Sequence, residues 1–331
     1  FGSGAEGHYT GRLGDECDTY IELGLGQEVY KQDDKVFTVN TMLSYQTNQG
    51  AQFNDYQSLA EPGLASSKGD IALRQFNVTA SGVLDFAPEA TLWAGKKFYQ
   101  RKDVHILDLY YLNNSGYGVG IEHIDLGSGK LSLAWTNSDE ESRSGKMNAE
   151  SQRMVQVNKL DIRYAGIPLW QDTSLELAGI FGFGDTNEIQ DQANEPSETG
   201  LFLTAEITQQ FSSLSNHIVL QYSNDAMAEA AWRNASGSRS INVPAWQGTL
   251  DNAWRFIDYG EINLTEKIDL NYSFIYQKGE TLSNVMVAET EPTRMSAVVR
   301  GSYSWSDSMK TTIEVGYDDV QESNMVESLD L

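Results

Sequence analysis

The sequence predicts an all-β protein, a transmembrane antiparallel β-barrel, and three observations lead there. Apolar and polar residues alternate with a period of two along almost the whole chain, as in strands with one greasy and one wet face. The polar faces carry ionised side chains in mid-strand, among them Glu22, Asp108, Arg163, Asp269 and Arg300. A water-filled lumen tolerates these and a packed core does not. The apolar faces tend to end in aromatic residues, at Tyr111, Tyr164, Tyr276, Tyr303 with Trp305, and Tyr317, as a girdle at a lipid boundary requires. Alternation alone also fits a soluble sandwich or barrel.

Taken in order, strands are expected near 18–30, 35–46, 72–83, 90–99, 104–113, 117–126, 130–137, 155–166, 173–183, 200–211 and 216–223, with a final group near 253–264, 267–277, 294–305 and 310–320. The clearest alternation sets Ile21, Leu23 and Leu25 against Tyr20, Glu22 and Gly24, and Leu160, Ile162 and Tyr164 against Asp161 and Arg163. Ile268, Leu270, Tyr272, Phe274 and Tyr276 likewise alternate with Asp269, Asn271, Ser273 and Ile275, and Ile313, Val315 and Tyr317 with Thr312, Glu314 and Gly316. Polar insertions at 47–70, 138–153, 184–199, 224–250 and 278–292 read as extracellular loops. Phe86-Ala87-Pro88-Glu89 and Gly127-Ser128-Gly129 read as periplasmic turns.

Composition bounds the function. Among 331 residues, 47 are acidic and 23 basic, a net charge of −24, which leaves no basic patch for nucleic acid. No apolar run approaches the roughly 20 residues of a spanning helix, so a membrane crossing here is a closed barrel. The strand pattern runs from 1 to 331 without a linker, predicting one barrel domain. No secretory leader precedes Phe1, and the chain stops in a polar stretch at Asp330-Leu331. The expectation is that the first strand and the last few strands of the barrel are missing, since an odd strand count leaves an open edge.

The segment Leu92–Tyr111 reads as a barrel hairpin carrying a polar pore site. Lys96, Lys97, Arg101, Lys102 and Asp103 cluster between two alternating segments. In an extended strand after Asp103, His105, Leu107, Leu109 and Tyr111 share one face and Val104, Ile106, Asp108 and Tyr110 the other.

GRLGDECDTYIELGLGQEVYK at 11–31 and LWAGKKFYQRKDVHILDLYYLNNSGYGVGIEHIDLGSGKLSLA at 92–134, with GLFLTAEITQ, QYSNDAM, RFIDYGEINL and IEVGYDD further on, resemble the maltoporins, maltodextrin-selective porins of the Gram-negative outer membrane. The matches are in order and span nearly the whole chain. The resemblance implies an 18-stranded barrel in the full-length protein, a homotrimer in outer-membrane lipid, and passive diffusion of maltose and maltodextrins with no catalysis and no cofactor. It also implies a helical path of aromatic residues on which glucose rings slide, flanked by charged side chains that exchange hydrogen bonds with the hydroxyls.

By this resemblance Tyr20 is a slide aromatic, Tyr110 narrows the constriction, and Arg12, Glu22, Arg74, Arg101, Asp103 and Asp108 form the polar track. Phe53 and Tyr56 are the candidates for the slide aromatic of the second loop. The family's first-loop disulfide would pair Cys17 with a cysteine upstream; a plain free thiol is the other reading. Two departures stand out. A family phenylalanine falls at Ser215, which interrupts the slide. Strand parity puts Arg74 with Phe76 and Val78 unless a bulge intervenes.

Each assignment has a plainer counterpart. Tyr20 also reads as ordinary pore lining, the charged residues as groups that solvate the lumen and pair together, and Phe53 and Tyr56 as loop packing. His105, His123 and His217 lack ligand spacing, so no metal site is expected. Glu140 and Glu141 fall in a loop, as solvated charge rather than a hydrolytic dyad. A general diffusion porin, a porin for another oligosaccharide and a soluble carbohydrate-active β-protein remain as alternatives. Use of the long loops as a phage receptor is a family property on which the residues are silent.

Overall fold

A computed structural model describes residues 9–13, 20–46, 56–58, 70–141, 154–184, 199–225, 227–232, 250–281 and 290–324. Phe53 and Cys17 lie outside these residues. The strands are β1 Tyr20–Gln32, β2 Lys35–Gln46, β3 Tyr56–Ser58, β4 Asp70–Ser81, β5 Thr91–Lys97, β6 Lys102–Val104 and β7 Leu109–Leu112. They continue as β8 Gly116–Asp125, β9 Lys130–Glu141, β10 Met154–Trp170, β11 Thr173–Gly184, β12 Thr199–Gln210 and β13 Leu214–Asp225. The last four are β14 Leu250–Thr265, β15 Ile268–Thr281, β16 Thr290–Ser306 and β17 Met309–Asn324.

Fourteen strands form one continuous antiparallel path, β1-β2-β4-β5-β8 through to β17, with β3 added on β4. Neighbours in the wall are neighbours in sequence, so every connection is an up-and-down link. The links alternate in length. Asp33 at φ 53° and Asp172 at φ 54° make two of the tight turns, a left-handed conformation that aspartate accepts more readily than most residues.

The wall has two faces of opposite chemistry. On β10 Ile162 is 50% exposed while its neighbour Arg163 is 2% exposed. The same alternation exposes Leu177 and Phe181 on β11, Leu203 on β12, Leu220 and Tyr222 on β13 and Val299 and Tyr303 on β16. Such an apolar exterior is stable only against lipid. Aromatic contacts edge it at two levels: Tyr303 and Trp305, 4.6 Å apart, near the β16–β17 turn, and Trp135 with Phe183 and Trp254 with Tyr276 towards the long connections. No helix among the described residues is long and apolar enough to cross a membrane; the crossing is made by strands.

One expected strand is not part of the wall. Residues 104–113 were expected to form a wall strand, but the chain instead leaves β5, forms the two-stranded sheet β6-β7 around a 3-10 turn at His105–Leu107, and rejoins the wall at β8. Asp108 at φ 50° ends that turn in the left-handed region, which breaks the two-residue period. The apolar residues of this segment therefore face protein, not lipid. Val104, Ile106, Leu107, Leu109, Tyr111 and Leu112 are buried in a cluster with Ile180, Phe202, Val219, Ile257, Ile275 and Val298 from the inner wall.

Candidate functional site

The inward loop between β5 and β8 starts on a glycine shelf. A side chain at Gly120 would meet the Trp93 indole at 2.5 Å and one at Gly118 would meet it at 3.1 Å, so Trp93 lies flat on the wall because these residues have no Cβ. Trp93 packs against Tyr99 at 5.2 Å, and the Lys97 ammonium sits 5.0 Å from the Trp93 ring while pairing with Glu122. The loop then crosses the lumen. Lys102 donates to Glu176 on β11 and Glu206 on β12, at 2.8 and 2.7 Å. The Tyr111 hydroxyl lies 2.9 Å from that of Tyr259 on β14, and Gln221 and Arg255 each donate to the Tyr111 carbonyl at 2.9 Å. Asn114 donates to Asp161 on β10 at 3.1 Å and accepts from Thr136 on β9 at 2.8 Å.

Below the long connections a second short piece enters the lumen. Ala228–Ala231 forms a 3-10 turn whose Ala231 amide donates to Ser223, while Ser223 donates to the Ala228 carbonyl and Gln277 to the Trp232 carbonyl. Ala228, Ala231 and Trp232 are buried there.

Six of the site residues expected from sequence, Tyr110, Arg101, Asp103, Asp108, Arg12 and Arg74, lie on or against the inward loop. The Arg101 guanidinium lies 4.5 Å from the centre of the Phe98 ring and 4.2 Å from that of Tyr110, and donates to the Tyr110 hydroxyl at 2.7 Å. Arg74 approaches the Phe98 ring at 5.3 Å. Asp103 stands opposite Tyr110 in the small sheet. Arg12 pairs with Asp108 at 3.4 Å. Burial pushes the Tyr110 phenol up from its ordinary pKa; Arg101 pulls the other way, and Asp108, Asp103 and Glu22 add to the rise. On β1, Glu22 accepts from the Tyr20 hydroxyl at 2.5 Å. A neutral phenol between cations and carboxylates both donates and accepts hydrogen bonds, as sugar hydroxyls do.

Arg74 reaches the lumen through a bulge. Met42 pairs with Gln75 and Leu43 with Leu73, leaving Arg74 as the extra residue of β4. The parity therefore reverses there: Phe76, Val78, Leu73 and Ile71 face outward while Arg74 and Ala72 are each 1% exposed. Tyr56 lies on β3, paired with Ala72. The structure also brings in Phe98, a ring between two arginines that sequence reasoning passed over. Its signal was the run Phe98-Tyr99-Gln100-Arg101, an aromatic pair beside a cation in a predicted pore segment. His217 faces the lumen, stacked on Tyr259 at 4.7 Å and 2.9 Å from Glu206. No group of three or more metal-binding side chains occurs among the described residues.

A lipid-facing β-wall around a charged, loop-narrowed lumen defines an outer-membrane porin. Residues 2–329 match the LamB porin family model, and the chain belongs to that family. It is 41% identical over 317 residues to Maltoporin 1 of Aeromonas salmonicida, covering 92% of this chain and 71% of that protein. It is also 41% identical over 310 residues to a maltoporin of Hahella chejuensis, covering 93% and 69%. Among solved structures, OmpF of Salmonella typhi in complex with daunomycin superposes with a TM-score of 0.51 at 8% identity, over 91% of each chain, a likeness of fold alone.

Proposed function

We propose that the protein admits maltose and maltodextrins by facilitated diffusion, as one barrel domain per subunit of a homotrimer, and catalyses no reaction. The observation that carries this reading is the constriction itself. Tyr110 offers a ring and a hydroxyl, Arg101 lies against it, Asp103 stands opposite it, and two residues before it Asp108 pairs with Arg12. Pyranose faces stack on such rings while their hydroxyls exchange hydrogen bonds with the charged neighbours, so the sugar moves through many weak contacts without being trapped. The names of the relatives in Aeromonas salmonicida and Hahella chejuensis support the same substrate class.

Liposome swelling tests the substrate. Vesicles carrying the full-length protein are expected to swell in maltotriose far faster than in raffinose, a trisaccharide of equal mass without α-1,4 glucose links. Equal rates would point to a general diffusion pore.

A further inference from the structure

Resting on the reading of Arg12 and Asp108 as pore-lining groups, we infer that the wall pair Arg300 and Glu314 is a positioning clamp that sets the Arg12–Asp108 gap, and with it the strength of sugar binding. Arg300 and Glu314 stand directly opposite each other on β16 and β17. Their side chains are 16% and 8% exposed, and Arg300 Nε donates to Glu314 Oε2 at 2.6 Å. Each also reaches into the lumen. Arg300 Nη2 donates to the Ile106 carbonyl in the turn of the inward loop at 3.3 Å, two residues before Asp108. Glu314 Oε1 accepts from the Leu13 amide at 3.0 Å, one residue after Arg12.

One ion pair therefore holds the backbone beside both members of the other. The segment 9–13 is seated so closely that a Cβ at Gly11 would meet Glu314 Oε1 at 2.1 Å, and Gly11 at φ 99° has a conformation that favours glycine. On the opposite side, the Asp108 amide closes the 3-10 turn on the His105 carbonyl at 3.2 Å.

Magnitudes decide which pair positions which. Arg12 and Asp108 are 23% and 41% exposed and 3.4 Å apart, and an ion pair so open to water contributes little, because water screens it. It is too weak to order two chain segments. Arg300 and Glu314 are the more buried pair and share a charged contact with both backbones, where such hydrogen bonds are roughly twice as strong as neutral ones. A clamp of this kind preorganises the groups that meet the sugar, so its loss acts on binding.

The test is a double-mutant cycle in planar bilayers with the full-length protein: wild type, Glu314→Gln, Asp108→Asn and the double variant. Each is read by maltohexaose block, split into on- and off-rates from current noise, and by reversal potential in a potassium chloride gradient. Glu314→Gln is expected to weaken block about 3- to 10-fold in the wild-type background, mainly through a faster off-rate, and by less than about 2-fold with Asp108→Asn present. Equal factors in both backgrounds, or no effect in either, would overturn the clamp. Arg300→Lys, which keeps the charge and shortens its reach, runs the same cycle if Glu314→Gln forms no channels. If maltohexaose does not block the wild type, the sugar reading fails and the reversal potential judges the clamp by the same coupling.

Discussion

Lys102 of the inward loop donates to Glu206 of the wall at 2.7 Å, joining positions 104 residues apart in sequence. Its ammonium also meets Glu176 at 2.8 Å, so one cation lies between two carboxylates. Arg163 pairs with Glu176, and His217 Nδ1 lies 2.9 Å from Glu206. Lys102→Met is expected to leave the carboxylates short of a cation and to destabilise the protein by about 2–3 kcal/mol, the order found when one member of a partly buried pair is lost. Urea unfolding in detergent measures this, and an unchanged midpoint would contradict it.

The outward face of β10 is assigned to lipid on the exposure of Ile162 against the burial of Arg163. Ile162→Arg is therefore expected to cost about 2–4 kcal/mol of folding into bilayers, as for arginine near the midplane of other barrels. Folding yields into lipid vesicles at graded urea read this out, and a near-neutral effect would place that face in water.

Gly120 leaves room for Trp93 at the root of the inward loop. Gly120→Val pushes the indole off the wall, with an overpacking cost of about 1–3 kcal/mol. Single-channel conductance is expected to change with stability, because Trp93 packs on Tyr99 where the loop departs. A stable variant with unaltered conductance would show that the shelf does not position the loop.

Ser215 shares the lumen-facing parity of His217 on β13 and donates to Gln210 at 3.1 Å. Ser215→Phe supplies a ring where the resemblance places one, and is expected to tighten maltohexaose block about 2- to 10-fold, the worth of one added ring contact. Weaker block would mean that the sugar path does not pass this position.

The wall was legible because a barrel strand is governed by a two-residue period, and Leu160–Tyr164 or Ile268–Tyr276 obey it whatever the partners. The inward loop was not. Leu107, Leu109 and Tyr111 are as apolar as lipid-facing residues, yet they pack against the inner wall in a segment with left-handed backbone at Gln100 and Asp108. Arg74 shows the converse: parity places it outward, but it is itself the unpaired residue of the β4 bulge and so turns in. Of the candidate site residues, Tyr110, Arg101, Asp103, Asp108, Arg12 and Arg74 lie on or against the inward loop, while Tyr20 and Glu22 pair with each other on β1. Phe98 was signalled by the aromatic pair beside Arg101 and overlooked, whereas the role of Arg300 and Glu314 lies in contacts between distant segments, which no local pattern encodes.

Titration of maltohexaose against the ion current of the full-length protein in a planar bilayer reads out whether the lumen holds a maltodextrin site. Saturable block is expected, weakened by both Tyr20→Ala and Tyr110→Ala. A conductance that maltohexaose does not alter would contradict it.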